Sequence, residues 1–381
     1  METAYAIKPI FELTIAGKNI TQEVSVFLSS VEYIDKLEEE SDEINIVLDD
    51  VSGLWQSDWY PQQGDALALK MGYPGNMLHC GEFEIDEIEL RGQPDQLTVK
   101  ALATAISKDM RTKNSRAYEK QTLKEIAQFI ANKHGLKLVG DTSQLGGLPV
   151  GRKTQNNESD LAFLSRMCKQ YGIIFSVRGD QLVFLNPENL ENGDAIAKFN
   201  RSQLATYSFK DKTADTFEAA VVSKRDIRTN SVPKWRVENN ADPTQKAELV
   251  VGGRVENESQ AKATADGALR DKNKDKLTGS FSTDGNPLLV AGVNVEMEGF
   301  GAFSGKWNIK ESRHKIDIGS GYVTDVQIRK GLYKKTVQPV KPAAKKNWAN
   351  MVGLDANRVA PVREYIPYTP SFNVPDYMKK Q

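Results

Sequence analysis

The stretch TQNNESDLAFLSRMCKQYGIIFSVRGDQLVFLNP, Thr154 to Pro187, gathers Asn, Glu, Ser, Asp, Arg and Cys into one short span. It reads either as a catalytic constellation or as a capped helix running into a hairpin. Caps and turns account for every polar residue in it. Asn157 or Ser159 can accept a hydrogen bond from a free amide of the first helical turn, and Glu158 and Asp160 place negative charge at the positive end of the helix dipole. Leu161, Leu164, Met167, Cys168 and Tyr171 recur at helical spacing as one apolar stripe, and Gly172 ends the helix. "IIFSV" and "QLVFL" then flank Arg178-Gly179-Asp180, the material of a tight hairpin turn. The stretch is therefore expected to build scaffold and not to make or break a bond.

Upstream, "QTLKEIAQFIANKHGL" opens with Thr122 and Glu125 at capping-box spacing. Leu123, Ile126, Ala127 and Ile130 follow at helical period, and Gly135 sits where a left-handed C-cap is wanted. The first hundred residues alternate instead. Ile44, Ile46 and Leu48, then Leu67, Leu69 and Met71, then Phe83 and Ile85, share faces at period two. The phase slips at Asp86-Glu87, as a bulge would make it. Gln62-Gln-Gly-Asp65 and Gly92-Gln-Pro-Asp95 are turn material. Short strands joined by tight turns predict a small antiparallel barrel or sandwich.

Downstream, strands return in "FEAAVVSKRDI" and "KWRVEN". "ENESQAKATADGALRDKNKDK" predicts a helix opened by Asn257 or Ser259, with a small-residue face of Ala261, Ala265 and Ala268. "LTGSFST" and three further strands with Gly-rich turns give a second barrel-like unit, with that helix expected outside it. The fold class is thus mainly β with an α+β insert. The domains expected are an N-terminal β-barrel-like domain over 1–110, an α+β insert over 111–205, a second β-barrel-like domain over 206–331 and an extended Pro-rich arm over 332–381. Six of the fifteen prolines lie in the last fifty-one residues, which excludes helix or central strand there. Trp348, Tyr365, Tyr368, Phe372 and Tyr377 are more aromatics than a plain linker carries, so they are the candidate protein interface.

The chain has 381 residues, enough for two or three domains, with a formal net charge of -1. From Gly331 onward nine Lys or Arg face three Asp or Glu, so a basic tail follows a mildly acidic body. Two cysteines make no disulfide framework. The N-terminus does not read as a signal peptide, and no apolar run reaches the length of a membrane span.

Chemistry is sparse. His79, His134 and His314 show no metal-ligand spacing, and no metal or cofactor is expected. A Cys168–His134 dyad would need an exposed thiolate, whereas Cys168 sits on the apolar stripe. "GFGAFSGKW" at 299–307 fails the phosphate-loop spacing and reads as a turn. No Gly-x-Ser-x-Gly elbow is present. The acids of "EFEIDEIEL" read as a solvated strand face. The expectation is a non-enzyme.

The order of elements resembles the phage late control protein D family, the central hub of contractile phage tails. The hub of the large myophage baseplate and the N-terminal part of type VI secretion VgrG spikes share that architecture. The resemblance rests on "GDALALKMGY", "GEFEIDEIEL", "TLKEIAQFIANKHGL", "QNNESDLAFLSRMCKQYGIIFSVRGDQLVF" and "GYVTDVQIRKG", and spans about Phe11 to Gly331. No VgrG-like β-helix spike, lysozyme or peptidoglycan-binding module is read in the sequence.

The resemblance implies a homotrimer whose two barrel-like domains per chain give a pseudo-sixfold ring joining a sixfold tail tube to a threefold spike. The partners implied are a second and third copy, the spike protein, tail tube or tube-initiator proteins, baseplate wedge proteins and the tape-measure protein. DNA would pass through the lumen without specific binding, and an acidic body suits that. The location implied is the virion, assembled in the host bacterial cytoplasm. The alternatives are a tailocin or type VI-like hub, a tail-associated cell-wall hydrolase, and a monomeric binding module.

Overall fold

The computed structural model describes residues 8–38, 41–103, 110, 112–213, 216–223, 234–239, 247–252, 255, 258–330 and 335–337. The first β unit comprises β1 (Ile10–Ile15), β2 (Lys18–Asn19), helix α1 (Thr21–Ser25), β3 (Leu28–Lys36), β4 (Glu43–Asp49), β5 (Ala66–Tyr73), β6 (Asn76–Arg91) and β7 (Gln96–Ala103). Alternation decides what it buries. Ile44, Ile46, Leu48, Leu67, Leu69, Met71, Phe83 and Ile85 all face one apolar core with Leu13 and Val31. The phase slip is a bulge in the β6–β7 pairing between Ile85 and Glu87, and beyond it Leu90 turns outward.

The insert runs through β8 (Lys113–Thr122), α2 (Leu123–His134), β9 (Lys137–Gly140), α3 (Thr142–Gly146), β10 (Pro149–Ser159), α4 (Asp160–Gln170), β11 (Ile174–Arg178) and β12 (Gln181–Leu185). Helix α2 starts with the reciprocal cap. Glu125 N donates to Thr122 Oγ1 at 3.2 Å, and Thr122 N donates to Glu125 Oε2 at 2.7 Å. Gly135 ends α2 in the left-handed region at φ 69. Ser159 is the cap of α4, accepting from Ala162 N at 3.2 Å. Asn157 has a different task, a positive φ of 50 at the bulge between β10 and β8. Arg178 pairs with Gln181 across the hairpin, leaving Gly179-Asp180 as the turn.

The chain continues through α5 (Pro187–Asn192), β13 (Ala195–Phe199), β14 (Thr206–Asp211), β15 (Ala219–Ser223), β16 (Lys234–Asn239), β17 (Glu248–Val251) and α6 (Glu258–Asn273). It ends with β18 (Leu277–Asp284), β19 (Asn294–Met297), β20 (Gly305–Asp317), β21 (Gly321–Arg329) and β22 (Lys335–Val337). Phe281, Val295, Trp307, Ile309, Val326 and Ile328 share the second unit's core. Residues 299–304 make a turn containing a 3-10 segment at Gly301–Phe303, and 305–307 already belong to β20; the turn carries Phe300 and Phe303 into an aromatic group with Phe209 and Trp307.

Two features differ from the expectation. Helix α6 does not pack outside the second barrel. Its Ala261, Ala265 and Leu269 bury against Ala220, Val222 and Val237 of a separate four-stranded sheet, ordered β17-β15-β16-β22. Alanines accept this because a small-residue face lets a helix lie close to a sheet. Strand β22 also places residues 335–337, within the range expected as arm, against β16. Trp348, Tyr365, Tyr368, Phe372 and Tyr377 lie outside the described residues.

The two β units are not separate sheets. The path runs β14-β18-β21-β20-β3-β4-β7-β6-β5-β1-β2, with β13 and β19 branching beside β20. The junction is the antiparallel pairing of β3 with β20, from Lys36 opposite Glu311 to Ser30 opposite Asp317.

Where α6 crosses the end of α4, backbone meets backbone. A Cβ at Gly267 would lie 2.5 Å from Gly172 N and 2.8 Å from Gln170 O. Replacing a helix-interior glycine with alanine ordinarily stabilises by about 1 kcal/mol. Here the clash should reverse the sign. Gly267→Ala is expected to destabilise by about 1–3 kcal/mol, read as a lower urea midpoint at unchanged slope.

Candidate functional site

Buried ionisable groups concentrate where β3, the β11–β12 hairpin, the segment before β19, and α6 meet. Leu37, Ile174 and Ala291 form a small apolar cluster there. Beside it lies Asp35, which points inward from β3. Its carboxylate accepts from Arg178 Nη2 at 2.9 Å and from Ala291 N at 2.7 Å. One side chain thus ties together the first β unit, the insert and the second β unit. Asp42 accepts from Lys36 N at 3.0 Å and from the Tyr33 hydroxyl at 3.4 Å. Burial pushes both carboxyls up, and Arg178 opposes this in each. The same burial, with Asp35 and Asp42 nearby, pushes the Tyr33 phenol up.

A second knot follows along the chain. Glu38 accepts from Arg329 Nη2 at 2.7 Å and from Lys274 Nζ at 2.9 Å. Burial alone would raise Glu38, but Arg329 and Lys274 overcome it and hold the carboxyl at about 2. Glu38 thereby joins β21 and the chain just past α6 to the chain just past β3. Among the described residues, Arg329 Nε and Nη1 are buried with no hydrogen-bond partner. Two cavities border this knot. One, lined by Ile174, Phe175 and Gly267 among others, holds about 60 Å³, far below the roughly 300 Å³ of a small-molecule site. The other, lined by Lys36, Glu38, Lys274 and Asp275 among others, holds about 560 Å³, but its walls are charged side chains and not the mostly apolar lining of such a site.

The opening stretch has its own centre. Asp160 does more than offset a helix dipole. Its buried carboxylate accepts from Lys133 Nζ at 2.7 Å, His134 Nε2 at 2.8 Å and Gln155 Nε2 at 2.8 Å. These bonds outweigh burial and hold Asp160 below its ordinary range. His134 is thus engaged by Asp160 and not by Cys168. Burial pushes the Cys168 thiol up, away from a thiolate. Glu158 receives Arg166 Nε at 3.1 Å. Spacing could not show the Asp160 network, because Lys133 and His134 belong to α2.

His314 is the remaining buried titratable group of note. It lies on β20 opposite Tyr33 of β3, with the two rings stacked at 6.2 Å. Its Nε2 donates to the Leu289 carbonyl at 3.0 Å and Nδ1 accepts from the Tyr322 hydroxyl at 2.8 Å, so the neutral ring is the one satisfied. Burial lowers it to about 4. His79 and Cys80 are neighbours on β6. Among the described residues no three His, Cys, Asp or Glu side chains gather to hold a metal ion. No described helix is long and apolar enough to cross a membrane. The arrangement positions chain segments against one another through paired buried charges.

Set beside known proteins, residues 80–319 match the family model described as phage tail baseplate hub (GPD). A relative from Escherichia phage 186, named "Probable baseplate hub protein", is 32% identical over 187 residues. That match takes in 49% of this chain and 47% of the relative, so the chain spans about half that relative's length. Among solved structures, the 43 kDa tail protein of prophage MuSo2 from Shewanella oneidensis superposes with a TM-score of 0.63 at 14% identity. It covers 84% of this chain and 98% of its own. An E. coli protein described as a component of the type VI secretion system superposes at 0.51, with 14% identity and coverages of 87% and 80%. At those identities the structural likenesses establish the fold alone.

Two outcomes follow from the buried charges. Arg178→Met strands the buried Asp35 and removes the charge near Asp42; since Arg178 is 38% exposed, water shields part of the loss and the cost should be about 1–3 kcal/mol. Adding Asp35→Asn should return part of that, so a double-mutant cycle by urea denaturation should show coupling well above zero. For His314 the folded value lies below the unfolded one, so its contribution is present above pH 6.5 and is lost as pH falls toward 4. Between those pH values the protein should lose about 3 kcal/mol more stability than His314→Gln. Taking the difference of the two curves removes the carboxylates they share.

Proposed function

The chain belongs to the phage tail baseplate hub family, and from that premise we propose that three copies close into the central ring of a contractile tail's baseplate. Each chain contributes two β units, so the ring presents six around its axis. Such a ring meets a sixfold tail tube on one side and a threefold spike on the other. The observation that carries this reading is the β3–β20 pairing, which makes both β units of a chain one sheet. A hub that bridges two symmetries needs its two units held at a fixed spacing, and a continuous sheet with buried charges at the seam supplies that.

The ring acts by adhesion and alignment around a channel through which DNA passes unbound. Its partners are its own copies, the spike, the tube or its initiator, the wedge proteins and the tape-measure protein. It works as a virion part put together in the host cytoplasm, and no bond is made or broken at the seam. Trp348, Tyr365, Tyr368, Phe372 and Tyr377 serve as contacts to a partner. The domain limits of the working protein follow 1–110, 111–205 and 206–331, and the arm expected over 332–381 starts after β22, which belongs to the body.

A second reading, the hub of a tailocin or a type VI-like injection machine, is favoured by the likeness to the type VI secretion component. The ring is common to both.

Negative-stain imaging of the purified protein, with native mass spectrometry of the same sample, tests the ring. Three chains per particle and six similar densities around a hole are expected. Single-chain particles that stay single after the spike protein is added would overturn it. Peptidoglycan clearing by the same sample, abolished by one carboxylate change, would turn the reading to a hydrolase.

A further inference from the structure

At one end of the first β unit an aromatic group runs from the core to the surface, with Trp55 buried in the core, Phe27 packed against it and Trp59 exposed. Phe27, Trp55 and Trp59 pack edge to face, with ring centroids 5.5 to 6.0 Å apart. Around them Val26 is 79% exposed, Val51 81%, Trp59 42% and Tyr60 48%. Asp50 builds this loop, its carboxylate accepting from Trp55 N at 2.9 Å and Gln56 N at 3.0 Å. Asp49 N bonds the Phe27 carbonyl at 2.7 Å, so the loop and the segment before β3 form one surface. Exposed valine, tryptophan and tyrosine on one loop and the segment beside it mark an interaction site. Trp55 Nε1 is also buried without an acceptor among the described residues, a donor that costs free energy while unmet.

The charge around this surface is one-sided. From Asp49 to Asp65 the loop holds four Asp and no Lys or Arg, and Asp58 beside Trp59 is exposed. The fitting occupant is basic, aromatic and rich in proline. This chain carries such a segment. After Val340 come seven Lys or Arg against three Asp or Glu, with Pro367-Tyr368-Thr369-Pro370 and a Lys379-Lys380 end. A proline-rich segment loses little entropy on docking, keeps its carbonyls open and stacks on tryptophan and tyrosine. The last strand of the body, β22, stops at Val337, and forty-four residues follow, about 140 Å at full extension, so reach does not limit the contact.

We propose that the Val26–Val51–Trp59–Tyr60 surface receives residues 341–381 of a second copy of this chain. Proline and tyrosine side chains lie on Trp59 and Tyr60, and the Lys379-Lys380 end meets Asp58. The inference rests on the ring reading, since it is neighbouring copies that would be joined.

The test uses full-length protein assembled from equal amounts of light and 15N-labelled chains. Carbodiimide then couples carboxylates directly to lysines, and the joined peptides are read by mass spectrometry. Lys379 or Lys380 joined to Asp58 is expected, with about half of those pairs mixing light and heavy chains. In full-length Trp59→Ala and Asp58→Lys the Trp59-loop linkage should fall at least tenfold. Links from these lysines to other places, links within single chains only, or unchanged linkage in Trp59→Ala would overturn the proposal. So would links between two copies of the 50–60 loop. Native mass on the same sample separates the failures. Three chains without the Asp58 link would sink this contact and leave the ring standing, and single chains would sink both.

Discussion

The pairing of β3 with β20 is the constraint on which the rest depends. Backbone amides and carbonyls on each strand have no other partner on that side, so the hydrogen bonds must be made together or left to water. The pairing forces Tyr33 of one unit against His314 of the other and sets Asp35 opposite Ser312. Side-chain period two then sends these residues to the interior, where burial makes every unmet polar group expensive. The charges at the seam follow from that geometry. Asp35 finds Arg178 and the Ala291 amide, and Glu38 finds Arg329 and Lys274.

Paired charges at such a place are weak evidence for extra stability, because desolvation offsets most of their attraction. Their stronger effect is on arrangement. An apolar seam tolerates sliding, whereas Asp35 is satisfied only when β11, β3 and the chain at Ala291 are all in register. Glu38 adds the same requirement for β21 and the end of α6.

Local structure was legible where one residue's neighbours in sequence are also its neighbours in space. The Thr122–Glu125 cap, Gly135, the turn at Gly179 and the bulge after Ile85 are of that kind. So was the alternation of Ile44, Ile46 and Leu48, because a half-buried strand prints its period directly. The family pattern around Glu158-Ser159-Asp160 was legible for the same reason. What the sequence withheld was pairing at long range. Nothing in "QLVFL" says that it takes β9 as a parallel neighbour, and nothing in "FEAAVVSKRDI" says that β17 runs parallel beside β15. The small face of α6 announced a close contact without naming the sheet. Asp160 looked like a helix-terminal charge because Lys133 and His134 approach it from another helix. The seam had no signal at all, since its members stand at 35, 178 and 291.

The separation along the chain between β3 and β20 also has a meaning in time. The two strands lie about 280 residues apart. At ribosomal speeds of roughly 5–20 residues per second, β20 emerges on the order of 15 to 60 s after β3. Throughout that interval the first unit presents β3 as an open edge, with half of its hydrogen-bonding groups unmet. An open edge accepts any extended strand, including that of a nascent neighbour on the same message. The chain therefore spends its youth able to pair too early and in the wrong register. Completion of the polypeptide, more than collapse of any single core, closes that opportunity.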